Sequence, residues 1–338
     1  MESEELKLLY ETFFHDGPNS YAAGRKTQAD FAYYTTAETL IKIIESRSIF
    51  MRNTKVLNDI SEVKFGYDYL RHSVDQPEGD ELFAALRDID PSLDKEHLFW
   101  KFFGGNHYPK IADSTYVLSL SDHSKAKSQD LGLLSMWRAY GGSTGVALVI
   151  DGAKTVFVES DALNAWTHPV QYVDCDPNYA FSKDNWLTGE FRKITSKIIE
   201  NREFLRRIDP APITGHLMYA FNLAVVRTKH AAFREENEWR VIRTQGWMDN
   251  VKVGMPTTET IRGIPQKVVK LNLENYKEAT PNPLNLELNN IVKKVLIGPC
   301  YHADIIAEAV AERLESAGVV NARARVTITN IPYRANHP

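Results

Sequence analysis

The sequence predicts an α+β fold, on three observations. Short runs rich in β-branched and aromatic residues are interspersed with stretches whose apolar residues recur every three to four positions, without the even spacing of crossover units. No segment of the 338 residues repeats, and no low-complexity linker divides them. The composition, 43% hydrophobic and 25% charged with 15 Phe, 15 Tyr and 6 Trp, is that of a folded chain with aromatic rings to spare for a pocket. The expected organisation is a helix and connector over 1–30, then one domain over 31–330 with a helical insertion at about 185–230.

In chain order, Glu4 to Phe14 reads as a helix and Asp16-Gly17-Pro18-Asn19 as polar connector. Phe31 to Thr35 suits a strand, and Thr36 can cap a helix over Ala37 to Arg47, where Leu40, Ile41, Ile43 and Ile44 form an apolar stripe. Ser48 to Met51 is a second strand. The stretch Val56 to Glu62 opens a helix to about His72: Asp59 and Glu62, three apart, have the form of a helix-start cap, while capping does not explain Asn58. One or two helices are expected between 76 and 110, with Phe99, Trp100, Phe102 and Phe103 inward and Gly104-Gly105 ending them.

Thr115 to Leu120 alternates as a strand and runs into Ser121-Asp122. Leu133 to Tyr140 is read as a short helix with Trp137 and Tyr140 on one side. Gly141-Gly142-Ser143-Thr144-Gly145 then leads into a strand over Val146 to Ile150, the reverse of the strand-loop-helix order of a dinucleotide site or P-loop. Further strands are expected at Val170 to Val173, Glu238 to Arg243, Val268 to Asn272, Val292 to Ile297 and Arg325 to Ile328. Helices are expected at Trp186 to Arg207 and Thr214 to Thr228, broken at Pro210 and Pro212, and at Ala303 to Glu315, stopped by Gly318.

With 40 basic and 44 acidic residues the net charge is -4, and no long block of one sign occurs, so whole-chain electrostatics give no reason to expect nucleic-acid or membrane-surface binding. Cys175 and Cys300 alone make no disulfide framework and fit a reducing compartment. The acidic start Met1-Glu2-Ser3-Glu4-Glu5 and the lack of a long apolar run make a soluble cytoplasmic protein with no membrane contact the expectation.

The stretch richest in chemistry is Arg234 to Arg243. As a strand it sends Trp239 and Val241 one way and Glu236, Glu238 and Arg240 the other, so two acids and a guanidinium share a face. That face is either the floor of a cleft for a cationic or electron-poor centre, or a structural Arg-carboxylate network. No His-Glu-x-x-His, paired Cys-x-x-Cys or histidine cluster is present, and no metal is expected. A Gly-x-Ser-x-Gly elbow is also missing. A metal-dependent nuclease built from Asp59, Glu62-Val63-Lys64, Glu236 and Glu238 ranks low, because its Glu-x-Lys falls on an expected helix rather than a strand.

Four clusters stand out together: Tyr33-Tyr34-Thr35, Leu57-Asn58-Asp59-x-x-Glu62, Ser119-x-Ser121 with Met136-Trp137-x-x-Tyr140, and Glu236-x-Glu238-Trp239-Arg240. In combination, from about Phe31 to Gly298, the chain resembles a widespread bacterial family of unknown function. Its layout is also similar to that of NAD-dependent ADP-ribosyltransferases of the toxin and defence type. That resemblance implies a mixed β core with flanking helices, NAD as substrate, Glu238 as catalytic carboxylate and Glu236 as the acid orienting the acceptor. It implies cofactor contacts from Tyr33, Tyr34, Thr35, Ser121, Trp137, Tyr140 and Arg240, with Asn58, Asp59 and Glu62 as further motif residues. Tyr33 departs from the pattern, which has a His or Arg there.

A fixed carboxylate beside the cation that develops as the nicotinamide-ribose bond breaks stabilises the transition state more than the ground state. Trp137 or Tyr140 can stack on the nicotinamide ring, and Arg240 can neutralise the acids or reach the pyrophosphate. The expectation is an enzyme that cleaves NAD and transfers ADP-ribose to a nucleic acid or protein, in toxin or anti-phage biology, with an inhibitory antitoxin or an activating phage protein as partner. The alternative is a non-catalytic sensor or scaffold with a purely structural acidic strand.

Overall fold

β3, Thr115–Asp122, is the strand on which the rest is hung. Its residues alternate between two cores: Tyr116, Leu118 and Leu120 pack into one, while Val117 joins the other. The computed structural model describes residues 3–14, 29–57, 61–104, 107–124, 130–175, 181–182, 185–246 and 254–331.

The strands, in chain order, are β1 (Asp30–Thr36), β2 (Ser48–Asn53), β3, β4 (Gly145–Asp151), β5 (Trp166–Pro169), β6 (Gln171–Val173), β7 (Thr228–His230), β8 (Glu238–Thr244), β9 (Thr257–Ile261), β10 (Ile264–Asn272), β11 (Asn275–Tyr276), β12 (Leu284–Asn285), β13 (Val292–Ile297) and β14 (Val326–Ile328). The longer helices are α1 (Ser3–Phe13), α2 (Ala37–Ser46), α3 (Glu62–Val74), α4 (Pro77–Ile89), α5 (Lys95–Phe103), α6 (His107–Ser114), α7 (Trp186–Glu200), α8 (Pro210–Arg227) and α9 (Ala303–Ser316). Helices and a mixed sheet make the fold α+β.

Ten strands form the main sheet, in the order β14-β13-β4-β1-β3-β2-β10-β9, with β8 pairing both β3 and β5. All its pairings are antiparallel except β13 with β14. One edge of β3 is matched to β8 from Thr115↔Thr244 to Ser121↔Glu238. The other edge is shared: β1 takes its end, at Ala32↔Ser121 and Phe31↔Asp122, and β2 takes its start, at Arg52↔Val117 and Asn53↔Tyr116. Between those pairings β1 and β2 diverge and the sheet splits.

One face of the sheet packs on α2, through Leu40, Ile43 and Ile44, and on α9, through Ile306, Val310 and Leu314. The β3-β8 side of the other face packs on α3, α7 and α8. Both kinds of amphipathic surface are thereby buried. Gly66 lets α3 and α8 approach closely, since a Cβ there would lie 2.1 Å from the carbonyl oxygen of Val225.

The Thr36 hydroxyl accepts from the amide of Thr39 and caps α2 as expected. The helical stretch expected at 185–230 is chiefly α7 and α8. Pro210 starts α8 rather than merely marking a break, because its missing N–H falls where a helix has no partner to offer. Three helices, not one or two, fill 77–114, and Trp100 is 66% exposed because its neighbours Leu98 and Phe102 occupy the buried face of α5. Trp137–Gly141 is a π-turn following the single helical turn Leu134–Met136. Its wider winding removes the one-sided alignment of Trp137 and Tyr140 expected from α-helical spacing.

Candidate functional site

The sheet's split holds a cleft of about 110 Å³ between the diverging strands. Tyr33 and Tyr34 from β1, Phe50 and Arg52 from β2, and Ser119 and Ser121 from β3 line it, with Tyr140, Glu236 and Glu238 closing one end. The main chain of β3 contributes as well. The amide of His123 donates to Asp30 O (2.7 Å) on the β1 side, and that of Asp122 donates to Asn237 O (2.9 Å) on the β8 side. Odd-numbered residues of β3 therefore turn their main-chain groups toward the split and even-numbered ones toward β8. Ser119 lies between the β1 and β2 pairings, so its N–H and C=O face the cleft.

Beneath the cleft is a buried charge cluster. Glu238 and Arg240 are two apart on β8 and point to the same face, as the alternation predicts. The Arg240 guanidinium donates from Nε to Glu238 Oε1 (2.8 Å), from Nη2 to Glu238 Oε2 (3.0 Å) and from Nη1 to Val226 O (2.5 Å) in the last turn of α8. It also pairs with Glu62, the first residue of α3. A cation at one helix's C-terminus and an anion at another's N-terminus both suit the helix dipoles. Lys229, on β7, bridges Glu236 Oε2 (2.5 Å) and Glu238 Oε2 (3.0 Å), with Glu62 Oε2 at 3.8 Å and the Phe233 ring 4.9 Å from its ammonium. The amide of Glu238 donates to the Tyr172 hydroxyl (2.8 Å).

Three carboxylates therefore face two cations, leaving one negative charge in excess. Burial alone would raise the Glu238 carboxyl, but Arg240 and Lys229, with the Ser119 hydroxyl, outweigh it and hold it down to about 2. Burial raises Glu62 and Glu236 more than their cationic neighbours lower them, so the surplus acidity falls on that pair. Lys229 is raised, burial being overcome by Glu238, Glu62 and Glu236. Of the two raised acids only Glu236 lines the cleft. Its Oε2 is taken by Lys229, whereas among the described residues Oε1 meets only the Tyr140 hydroxyl, at 3.5 Å. Burial, then Glu236 itself, pushes Tyr140 up to about 12, so that hydroxyl stays a donor at neutral pH.

At the β2 end, Arg52 donates from Nε to Gln266 Oε1 (3.1 Å), and no carboxylate among the described residues pairs with it. Burial lowers it, and Arg262 adds to this, while Tyr33 and Tyr140 work against it. The cleft is thus lined by a guanidinium with no carboxylate partner among the described residues and by a carboxylate oxygen that among them accepts only a long bond from Tyr140.

Tyr33, Tyr34, Ser121, Tyr140, Glu236 and Glu238 come together here, and Glu62 joins from below. Glu62 is more than the first-turn residue of a helix: it is a buried partner of Arg240 and Lys229. The Asn58 and Asp59 expectations lie outside the described residues. Glu236 reaches the cluster by a different route from the one expected. It ends a 3-10 helix, Ala231–Glu236, and left-handed Asn237 (φ 46°) turns the chain before β8 begins. The Ser121 hydroxyl donates to Glu236 O (2.7 Å), fixing that turn.

The remaining residues expected to contact a cofactor also have structural partners. Trp137 is buried, donates from Nε1 to Leu131 O (2.9 Å) and packs on Gly298 so closely that a Cβ there would meet its ring at 2.7 Å, so it is no open platform. Arg240 is fully enclosed and cannot reach a pyrophosphate. The Tyr34 hydroxyl accepts from the amide of Leu133 (2.7 Å) and pairs with His123 Nε2 (2.8 Å), and Thr35 is buried against Tyr33.

Arg52, Lys229 and Tyr172 went unread in the sequence. Arg52 had a signal, since it continues the β2 alternation on the side of Phe50; Lys229 and Tyr172 sit on three-residue strands with no pattern of their own.

No metal-binding group is found among the described residues. No helix among them is long and apolar enough to cross a membrane. No curated protein and no solved structure matches the chain. Residues 136–241, which include Tyr140, Lys229, Glu236, Glu238 and Arg240, are a domain matching the family described as protein of unknown function (DUF2971).

Proposed function

We propose that the chain cleaves the nicotinamide-ribose bond of NAD in the β1-β2 split and passes ADP-ribose to a macromolecular acceptor. The observation that carries this reading is the two-signed cleft, lined both by Arg52, which has no carboxylate partner among the described residues, and by Glu236, whose Oε1 accepts only a long bond from Tyr140 among them. A ligand suited to it carries an anion and an electron-poor or cationic centre on one short scaffold, as the pyridinium nucleotide half of NAD does. Arg52 suits a phosphate, and the Ser119 N–H and C=O suit a carboxamide. Tyr33 and Tyr140 offer rings for stacking.

In this reading the sugar-facing carboxylate is Glu236 in place of the Glu238 expected from sequence. Glu238 has both oxygens spent on Arg240 and Lys229, and it positions them. Glu236 is the acid that meets the sugar. As the ribose C1′–N bond breaks, its electron pair goes to the nicotinamide nitrogen, which leaves neutral. The oxocarbenium ion left behind faces Glu236, and the acceptor's nucleophilic atom adds to C1′ while its proton passes to Glu236 Oε1. A carboxyl raised by burial suits that last step better than one held near 2.

A competing reading, a non-catalytic module, is favoured by the saturation of Glu238 by its own cations. Nicotinamide release from NAD, with and without candidate acceptors, separates the two. The wild type should release nicotinamide, Glu236→Gln should lose at least ~100-fold in kcat, and Arg52→Ala should mainly raise KM for NAD. Silence from folded wild type under all conditions would favour the module.

A further inference from the structure

We propose a second ligand site, adjoining the Glu236 cleft through the shared residues Tyr33, Leu118 and Leu120, that takes a single-chain amphiphile with a neutral or cationic head. It goes beyond the NAD reading and stands without it. Two adjoining cavities carry the inference. The inner one, about 80 Å³, is walled by apolar side chains such as Ile49, Leu118, Leu148, Val241 and Leu286, and among the described residues only Tyr33, Thr155 and Thr167 bring polar side-chain atoms to it. Water in such a chamber finds few partners, and apolar cavities of this kind stay dry and take apolar ligands.

The outer cavity, about 290 Å³, shares Thr155, Leu163, Thr167 and Leu284 with the inner one. Its far wall is aromatic, with the Tyr10 and Trp166 rings stacked at 5.2 Å. Its rim is polar, formed by Glu159, Ser160, Asp161 and Asn164, and no lysine or arginine among the described residues lines it. Asp161 is fixed there by the amide and hydroxyl of Thr280, both at 2.8 Å. A dry inner end, an aromatic middle and an acidic rim match an aliphatic tail pointing inward with a head that is not anionic.

Titration calorimetry with hexylamine, octylamine and decylamine, each below its aggregation threshold, tests the site, with decanoate as the oppositely charged probe. Affinity should rise about four-fold per added methylene, the value for full burial of one CH₂, and decanoate should bind more weakly than decylamine. Leu286→Phe, which fills the inner chamber, should weaken decylamine more than hexylamine. Leu163→Trp, at a half-buried position between the cavities, should do the same and keeps the test open if the core variant fails to fold. Affinity that does not depend on chain length, equal binding of decanoate, or indifference of both folded variants would each overturn the proposal.

Discussion

Replacing Lys229 by methionine tests whether the charge cluster is a coupled unit. Lys229 is 4% exposed and is one of two cations set against Glu62, Glu236 and Glu238. Methionine preserves the apolar stem and its packing beside Phe233, so the loss isolates the ammonium. Without it three buried carboxylates face Arg240 alone, and the excess grows from one negative charge to two. Removing one partner of a buried pair costs about 3–5 kcal/mol, against about 1 kcal/mol or less for an exposed one. The structure also supplies the escape route: burial already raises Glu236, and without Lys229, the neighbour that lowers it most, it is raised further. Urea unfolding should therefore show a loss of about 3 kcal/mol or more at pH 7.5 that shrinks markedly at pH 5. The double variant Lys229→Met/Glu236→Gln, which removes the stranded charge, should recover much of it. Lys42→Met, which breaks only the exposed pair with Glu38, is the control and should leave stability unchanged. A loss at the exposed-pair level, or one equal at both pH values, would refute the idea that these five groups share a single buried charge balance.

Two further outcomes are expected. Gly66→Ala should destabilise by ~3 kcal/mol or more, the upper range for overpacking, because the new methyl would meet the main chain of Val225 rather than a side chain able to move; thermal unfolding measures it. The pH dependence of the cluster follows from its shifts. Glu238, held at about 2 against an ordinary 4.5, adds stability that is complete above 4.5 and lost as pH falls toward 2. Glu62 and Glu236 are raised, so the folded state binds their protons first and the stability they add grows as pH falls toward 4.5. The difference in unfolding free energy between wild type and Glu236→Gln should thus move in favour of wild type as pH is lowered from 8 to 4.5. A flat difference would mean that Glu236 is ionised throughout.

What the sequence made legible, and what it did not, divides along the range of the interaction that fixes each residue. The strand at Glu238 could be read because alternation is a local rule, and the burial of Trp239 and Val241 against one core with Arg240 facing the other follows from it. The Thr36 cap is likewise settled within four residues. The burial of Trp137 had no local signature, because a π-turn looks like an α-helix in sequence and its packing on Gly298 comes from more than 150 residues away. Glu62 was read as a helix-start residue, which it is, but its partner Arg240 lies on a strand far along the chain, so its second role has no local signature. The same applies to the cleft. Tyr33, Arg52 and Ser119 meet because β1 and β2 each claim a different end of one edge of β3, and that division of pairing is a property of the assembled sheet. Glu236 shows how the two levels combine: local spacing placed it beside Glu238, but its position at the end of a turn rather than on the strand leaves one oxygen toward the cleft, where Tyr140 is its only contact among the described residues. The chemical difference between two glutamates that are near-equivalent in sequence thus comes from the αL residue between them and from which of them Arg240 reaches.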